Sequence, residues 1–271
     1  PAILEYVVRP LPTVPGTGEV RATEAVEEIR RERPDAVMLG QSFFLFPYPL
    51  REIAEAAHAQ GALVFYDASH VLGLVAGGVF QDPLREGADV LFGSTHKSFP
   101  GPQGGLLVTD REDLFSQLDP ALVWRVFDNA HWNRIAALGQ TLLELERFGP
   151  EYAATVVANA QALGVALAAR DMPLVAADQG FTRSHQLHLR GDELTRRWGV
   201  GPAALARRWE GQGLLADLVG RIGTAEITRL GLRPAEMDRL AELLVRAGRD
   251  QLAVRAEVRA WRREFPRQRF V

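Results

Sequence analysis

The chain has 271 residues, 47% of them hydrophobic and 24% charged, the proportions of an ordinary globular protein with room for one large or two modest cores. A net charge of −3 without any basic block excludes a nucleic-acid or anionic-membrane surface, and no apolar run approaches the roughly 20 residues that span a bilayer. The absence of cysteine excludes disulfides, thiolate zinc sites and cysteine nucleophiles, and fits a cytoplasmic protein.

The opening "PAILEYVVRP" reads as the middle of a domain, without Met and without a signal peptide's charged-then-apolar layout. Residues 22–33 set Val26 and Ile29 on one helical face, and Pro34 ends the run. "DAVMLG" (35–40) reads as a buried strand. "PLREIAEAAHAQG" (49–61) spaces Leu50, Ile53, Ala54 and Ala57 as a helix, with Gly61 just past its end. Three apolar runs follow, "ALVFYD" (62–67), "ADVLFGS" (88–94) and "GLLVTD" (105–110), each closed by a polar residue. Strand and helix at this spacing predict a largely parallel sheet covered on both faces. In such sheets ligands bind beyond the carboxyl ends of the strands, so Ser42, Asp67, Ser94 and Lys97 are expected to converge.

From about 131 to 170 the pattern is long helix, expected to break at "FGPE" (148–151), with Tyr152, Val156, Leu163 and Leu167 on one face beyond it. "MPLVAAD", "HQLHLR" and "TAEITRLG" then read as short strands between helices at 202–210 and 234–247. The predicted organisation is a large α/β domain over 1–148 and a smaller α+β domain over 149–271.

Lys97 is the only lysine; every other residue counted as Lys or Arg is arginine. It is either a survivor of compositional bias or an amine that must lose its proton and attack a carbonyl, which a buried lysine does and an arginine does not. Asp67 closes an apolar strand, where it either forms the following turn or holds a protonated ring nitrogen. His70 and His96 read equally as hydrogen-bonded core histidines or as site residues. A lone lysine, an acid on a neighbouring strand end and flanking histidines are together the parts of a pyridoxal phosphate site. His185 and His188, three apart on a strand, face opposite sides and make a poor chelating pair; no metal site is expected.

The stretch "YDASHVLGLVAGGVFQDPLREGADVLFGSTHKSFPGPQGGLLV" (66–108) closely resembles the core of serine hydroxymethyltransferases, with the family's Asp-x-x-His, Thr-His-Lys and Gly-Pro-x-Gly-Gly in order. "LGQSFFLFP" (39–47), "GFTRSHQ" (180–186), "GTAEITRLG" (223–231) and the closing "EVRAWRREFP" extend the likeness more weakly. The resemblance implies the aspartate-aminotransferase-like fold: a three-layer, mainly parallel sheet in the large domain, then a smaller α+β domain. It implies pyridoxal phosphate and a tetrahydrofolate-type one-carbon carrier as cofactors, and a small amino acid such as serine, glycine or threonine as substrate. By position, Lys97 would be the Schiff-base lysine and Asp67 the partner of the pyridine nitrogen. His70 would lie against the cofactor, and Ser42 would touch the same edge and the substrate. Ser94 stands where the family usually has threonine beside the reacting centre, and His96 would support the cofactor end. Arg229 would grip the substrate carboxylate, a bidentate task suited to guanidinium.

Three departures from the family pattern carry weight. Gln103 stands where many members have arginine, "FDNAHWNRIAA" (127–137) replaces a glycine-rich turn, and the family's N-terminal portion, with its phosphate-binding loop, has no counterpart here. The expected activity is therefore Cα–Cβ bond cleavage or formation in the manner of serine hydroxymethyltransferase, with a threonine aldolase or transaldolase as the near alternative. A non-catalytic or half-site chain that needs a homodimer partner or a separate N-terminal chain is the alternative of another class.

Overall fold

A computed structural model describes residues 7–126 and 129–271. The first six residues, and Phe127 and Asp128 of the segment that stands at the expected glycine-rich turn, lie outside the described residues. The chain divides into two compact units. One comprises the residues up to Ser42, Pro47–Val75 and Gln81–Leu143; the other comprises Phe43–Phe46, Ala76–Phe80 and Glu144–Val271.

The first unit is built on four strands, β1 (Ala36–Leu39), β2 (Leu63–Asp67), β3 (Val90–Ser94) and β4 (Gly105–Val108), in the order β1-β2-β3-β4. β1, β2 and β3 run parallel, with Met38 opposite Phe65 and Asp67 opposite Phe92. This is the mainly parallel α/β sheet that the apolar runs predict. β4 departs from it: it runs antiparallel to β3, with Ser94 opposite Gly105. The reason is the length of the connection. Residues 95–104 are too few for the crossover of a dozen or more residues that a parallel return requires, so the chain doubles back. Nor is β4 a buried run, since Leu107 and Val108 are exposed.

The helices α1 (Ala22–Glu32) and α2 (Leu50–His58) pack on each other, and α2 packs on β2. All four residues that define the apolar face of α2, Leu50, Ile53, Ala54 and Ala57, are buried. On α1 the buried pair is Ala25 and Ile29, with Val26 only partly covered. Alternate strand residues Val37, Leu39, Val64 and Tyr66 are buried on one face of the sheet, while Met38 on the other is 66% exposed. At the amino end of β3, the buried Asp89 carboxylate accepts hydrogen bonds from the Val64 N–H (2.7 Å) and Arg111 (2.8 Å) and lies 3.0 Å from His58 Nε2. Burial alone would raise its pKa; these three partners together hold it below the usual carboxylate range.

A short helix α3 (Leu72–Ala76) follows β2, and α4 (Glu112–Arg125) follows β4. The boundary between the units falls within α5 (Trp132–Ala168), a helix that continues through Pro150 rather than breaking there. A proline in a helix interior costs about 3 kcal/mol. Leu145 before it and Tyr152, Val156, Leu163 and Leu167 after it are all buried, and each such side chain contributes about 1.5–3 kcal/mol, so packing on both sides outweighs the defect.

The second unit also contains α6 (Gly191–Trp198), α7 (Pro202–Gly211), α8 (Ala225–Arg229), α9 (Met237–Gly248), α10 (Arg255–Arg262) and a two-stranded antiparallel ribbon of β5 (Gln186–His188) and β6 (Arg221–Gly223). Trp209, Leu205, Met237, Leu243 and Leu163 lie in its hydrophobic core. "TAEITRLG" is not a strand. Thr224 and Thr228, four apart, are both fully buried with their hydroxyls satisfied: Thr224 Oγ1 donates to the Val156 carbonyl on α5 at 2.8 Å, and Thr228 Oγ1 donates back one helical turn to the Thr224 carbonyl at 2.8 Å. "MPLVAAD" contributes one isolated bridge, Leu174 with Leu189, and a 3₁₀ turn at Ala177–Gln179.

Candidate active site

Parallel strands in register bring their carboxyl ends to one edge of the sheet. That edge carries Asp67 as the last residue of β2, Ser94 as the last of β3, and Ser42 three residues beyond the end of β1. The turn after β2 is tied down: Asp67 Oδ1 accepts from the Ser69 N–H at 2.8 Å, the Ala68 N–H donates to the Phe92 carbonyl at 2.8 Å, and Ser69 Oγ accepts from the Ser94 N–H at 3.2 Å. Asp67 is thus a turn former through one oxygen, while Oδ2 makes no hydrogen bond among the described residues. Glycine at position 40 permits this packing, since a Cβ there would lie 2.5 Å from Asp67 Cβ.

Lys97 and His96 sit on the loop between β3 and β4, which is held from below. Thr95 Oγ1 donates to the Pro102 carbonyl at 2.6 Å, the Thr95 N–H to the Gly104 carbonyl at 3.0 Å, and Ser98 Oγ accepts from the Gly73 N–H at 3.2 Å. Thr95, Ser98 and Phe99 are buried; His96 and Lys97, between them, are exposed. Gly73 is a second place where only glycine fits, because a Cβ would lie 2.2 Å from the Ser98 carbonyl oxygen. Lys97 Nζ comes 3.5 Å from His70 Nε2, across from the turn that follows Asp67. His96 Nδ1 accepts from the Gly104 N–H at 3.4 Å. The lysine is therefore not the buried amine that its solitude predicts; it is an exposed amine with an imidazole beside it.

Asp67, His70, Ser94, His96, Lys97 and Ser42 thus all belong to the first unit and to one edge of its sheet. Arg229 does not: it lies on α8 in the second unit, where its guanidinium contacts Glu144 and the Phe270 carbonyl. Sequence reasoning missed Ser69, although a serine two residues after a strand-ending aspartate is an Asx-turn signal. It also missed Glu144, 85 residues from Arg229, which no local pattern reveals.

His185 and His188 are both buried and both turn to the amide of Gln186, with His188 Nε2 2.8 Å from Gln186 Oε1 and His185 Nε2 3.4 Å from Gln186 Nε2. Among the described residues no three His, Asp or Glu side chains gather to hold a metal, and no helix is long and apolar enough to cross a membrane.

The donor set fits pyridoxal phosphate. It offers one amine, a carboxylate with an oxygen to spare on the adjacent strand end, and an imidazole between them in sequence and close to the amine in space.

Residues 6–189 match the family model for serine hydroxymethyltransferase. The chain is 43% identical over 266 residues to a serine hydroxymethyltransferase of Methanopyrus kandleri, covering 92% of this chain and 59% of that one. It is 41% identical to another from Pyrobaculum arsenaticum, covering 90% and 59%. A solved structure of an L-threonine transaldolase from Pseudomonas fluorescens superposes with a TM-score of 0.83 at 28% identity, covering 94% of this chain and 60% of that one. The chain spans 59% of the length of the two curated relatives.

Proposed function

The chain belongs to the serine hydroxymethyltransferase family, and on that premise we propose that it carries the pyridoxal phosphate site of an enzyme that makes or breaks the Cα–Cβ bond of small β-hydroxy amino acids. The observation that supports this best is the pairing, on one sheet edge, of the sole lysine 3.5 Å from His70 with an aspartate that keeps one oxygen unengaged. When bound, pyridoxal phosphate supplies an electron sink for the electron pair left on the α-carbon. The residues do the rest. Lys97 Nζ is the amine that would hold the cofactor. Asp67 Oδ2 would hold the proton of the cofactor's ring nitrogen, the other oxygen of the carboxylate being fixed by the Ser69 N–H. His70 takes and returns a proton at the lysine nitrogen, within reach through a short adjustment of a long side chain. Ser94 and Ser42 offer hydroxyls to the cofactor's edge, His96 supports the cofactor end, and Arg229 binds the substrate carboxylate. The large and small domains of this reading meet near residue 149.

The one-carbon unit passes to or from a tetrahydrofolate-type carrier in this reading. Transaldolase chemistry, with an aldehyde acceptor instead, is the second reading, favoured by the superposition on the threonine transaldolase.

The active species is an assembly: a homodimer, a pairing with an N-terminal chain, or both. Support comes from the first unit, where Met38 and Leu107 on the sheet and Phe115, Trp132 and Leu143 on α4 (Glu112–Arg125) and α5 are exposed. Apolar residues in such number on one unit call for a covering partner, which would also supply the phosphate contacts. The test is co-expression with the upstream portion of the Methanopyrus kandleri relative, followed by assay of glycine release from serine and from threonine, with and without a folate carrier. Release from serine that depends on the carrier is expected. Release of acetaldehyde from threonine only when an acceptor aldehyde is added, with a new β-hydroxy amino acid formed in place of free glycine, selects the transaldolase reading; an assembly that binds no cofactor removes both.

A further inference from the structure

A buried polar network stands behind Asp67, wholly within the first unit. Its centre is Gln81, 8% exposed, whose amide uses all of its hydrogen-bonding capacity. Gln81 Oε1 accepts from the Tyr48 N–H and from the Tyr66 hydroxyl, both at 2.9 Å. Gln81 Nε2 donates to the Tyr48 carbonyl at 3.0 Å and to Glu86 at 2.7 Å. The amide thus pairs with both main-chain groups of Tyr48, as a neighbouring strand would. Glu86 is held in turn by the Asp82 N–H at 2.9 Å. The Tyr48 ring meets Tyr66 edge to face with 6.0 Å between centroids, and its hydroxyl is hydrogen-bonded by the backbone of Gly40. Gly40 is the residue that backs Asp67: a Cβ on it would lie 2.5 Å from the Asp67 Cβ and 3.0 Å from the Asp67 carbonyl oxygen.

We propose that Tyr48 and Gln81 are positioning residues for Asp67, holding the Gly40 backbone against it so that its unengaged oxygen keeps one direction toward the cofactor's ring nitrogen. The inference rests on the reading of Asp67 given above. The chain of contacts is short. The Gln81 amide fixes the Tyr48 main chain, the Tyr48 hydroxyl fixes Gly40, and Gly40 leaves the Asp67 Cβ no room to shift toward it. The Ser69 N–H fixes one carboxylate oxygen. A carboxylate restrained at Cβ and at one oxygen has a narrow range of directions left for the other, and a hydrogen bond weakens steeply once its alignment is lost. The network is also neutral where it nears Asp67. Burial raises the pKa of the Tyr48 and Tyr66 phenols and the Asp67 charge raises both further, so neither ionises beside the carboxylate.

The test reads the ring nitrogen itself, in the co-expressed assembly loaded with pyridoxal phosphate that carries the heavy nitrogen isotope in its ring. Nitrogen NMR from neutral to alkaline pH reports whether that atom keeps its proton. In Tyr48→Phe, which removes one oxygen, the proton should be lost at a pH lower by about one unit, the order expected for loosening one charge-assisted hydrogen bond. Gln81→Met, which keeps the length of the side chain and removes the amide, should shift it in the same direction. Tyr66→Phe is the control. It removes a hydroxyl of the same network that bonds Gln81, while Gln81 keeps both of its bonds to the Tyr48 main chain. It should lower the urea midpoint by as much as Tyr48→Phe and leave the nitrogen as in the parent. Equal shifts in Tyr48→Phe and Tyr66→Phe overturn this inference alone, as does no shift in Tyr48→Phe when Asp67→Asn strips the proton. A proton unmoved by Asp67→Asn removes the reading of Asp67, and this inference with it.

Discussion

Asp89 and Asp67 are carboxylates at opposite ends of one sheet, and their surroundings differ. Asp89, just before β3, has the Val64 N–H, Arg111 and His58 around its two oxygens. Asp67, at the end of β2, has a single backbone N–H on one oxygen. A carboxylate with its acceptor capacity filled from three elements ties those elements together and has nothing left to offer a ligand. One fixed on one side and open on the other is oriented without being used up. The same division appears in the loops: Thr95 and Ser98 are spent on hydrogen bonds beneath the surface so that His96 and Lys97 stand above it.

Substitutions at the two ends should therefore separate ligand binding from stability. The largest effect is expected at Lys97. Lys97→Arg preserves charge yet should abolish covalent cofactor attachment completely, because guanidinium stays protonated and does not add to an aldehyde; cofactor absorbance after gel filtration measures this. Asp67→Asn comes next, with turnover of the co-expressed assembly falling about hundredfold or more while thermal stability stays within about 0.5 kcal/mol of the parent. An unchanged turnover would erase the distinction between the two ends.

At the amino end the pattern should invert. Asp89→Asn should cost about 2–3 kcal/mol of unfolding free energy, as expected for charge-assisted hydrogen bonds to a buried carboxylate, with cofactor affinity unchanged in chains still folded. Because the folded-state pKa of Asp89 is lowered, its contribution is fully present above the unfolded value of about 4 and is lost as pH falls through the folded value. Urea melts from pH 7 down to pH 3 should show the parent and Asp89→Asn converging at the acid end. The smallest effect belongs to His58→Ala, whose imidazole is 44% exposed, so about 0.5 kcal/mol is expected; a cost equal to that of Asp89→Asn would make His58 the keystone instead of a rim partner.

The strands of this edge were legible because they are apolar runs closed by a polar residue or glycine, and Asp67, His70 and Lys97 stood out as candidates because they fall at or just beyond those closures. Direction was not written in apolarity: β4 reads as a strand either way, and only the ten residues between β3 and β4 reveal the reversal. The helix over "TAEITRLG" was hidden by β-branched residues, although the four-residue spacing of Thr224 and Thr228 carries its signal. α6 was invisible because Leu194 is its only buried side chain, too few to make a period. Pro150 misled in the other direction, since its local cost is plain in sequence and the packing that overrides it is not. The contacts of Arg229 were not legible, since Glu144 and the Phe270 carbonyl lie 85 and 41 residues away along the chain.

The central claim, that the sole lysine is the point of cofactor attachment, is open to one direct measurement. Borohydride reduction of the chain mixed with pyridoxal phosphate, followed by peptide mapping, should leave one stable label on the peptide containing Lys97 and none in Lys97→Arg. A label confined to the amino-terminal amine, or equal labelling of both proteins, would contradict the claim.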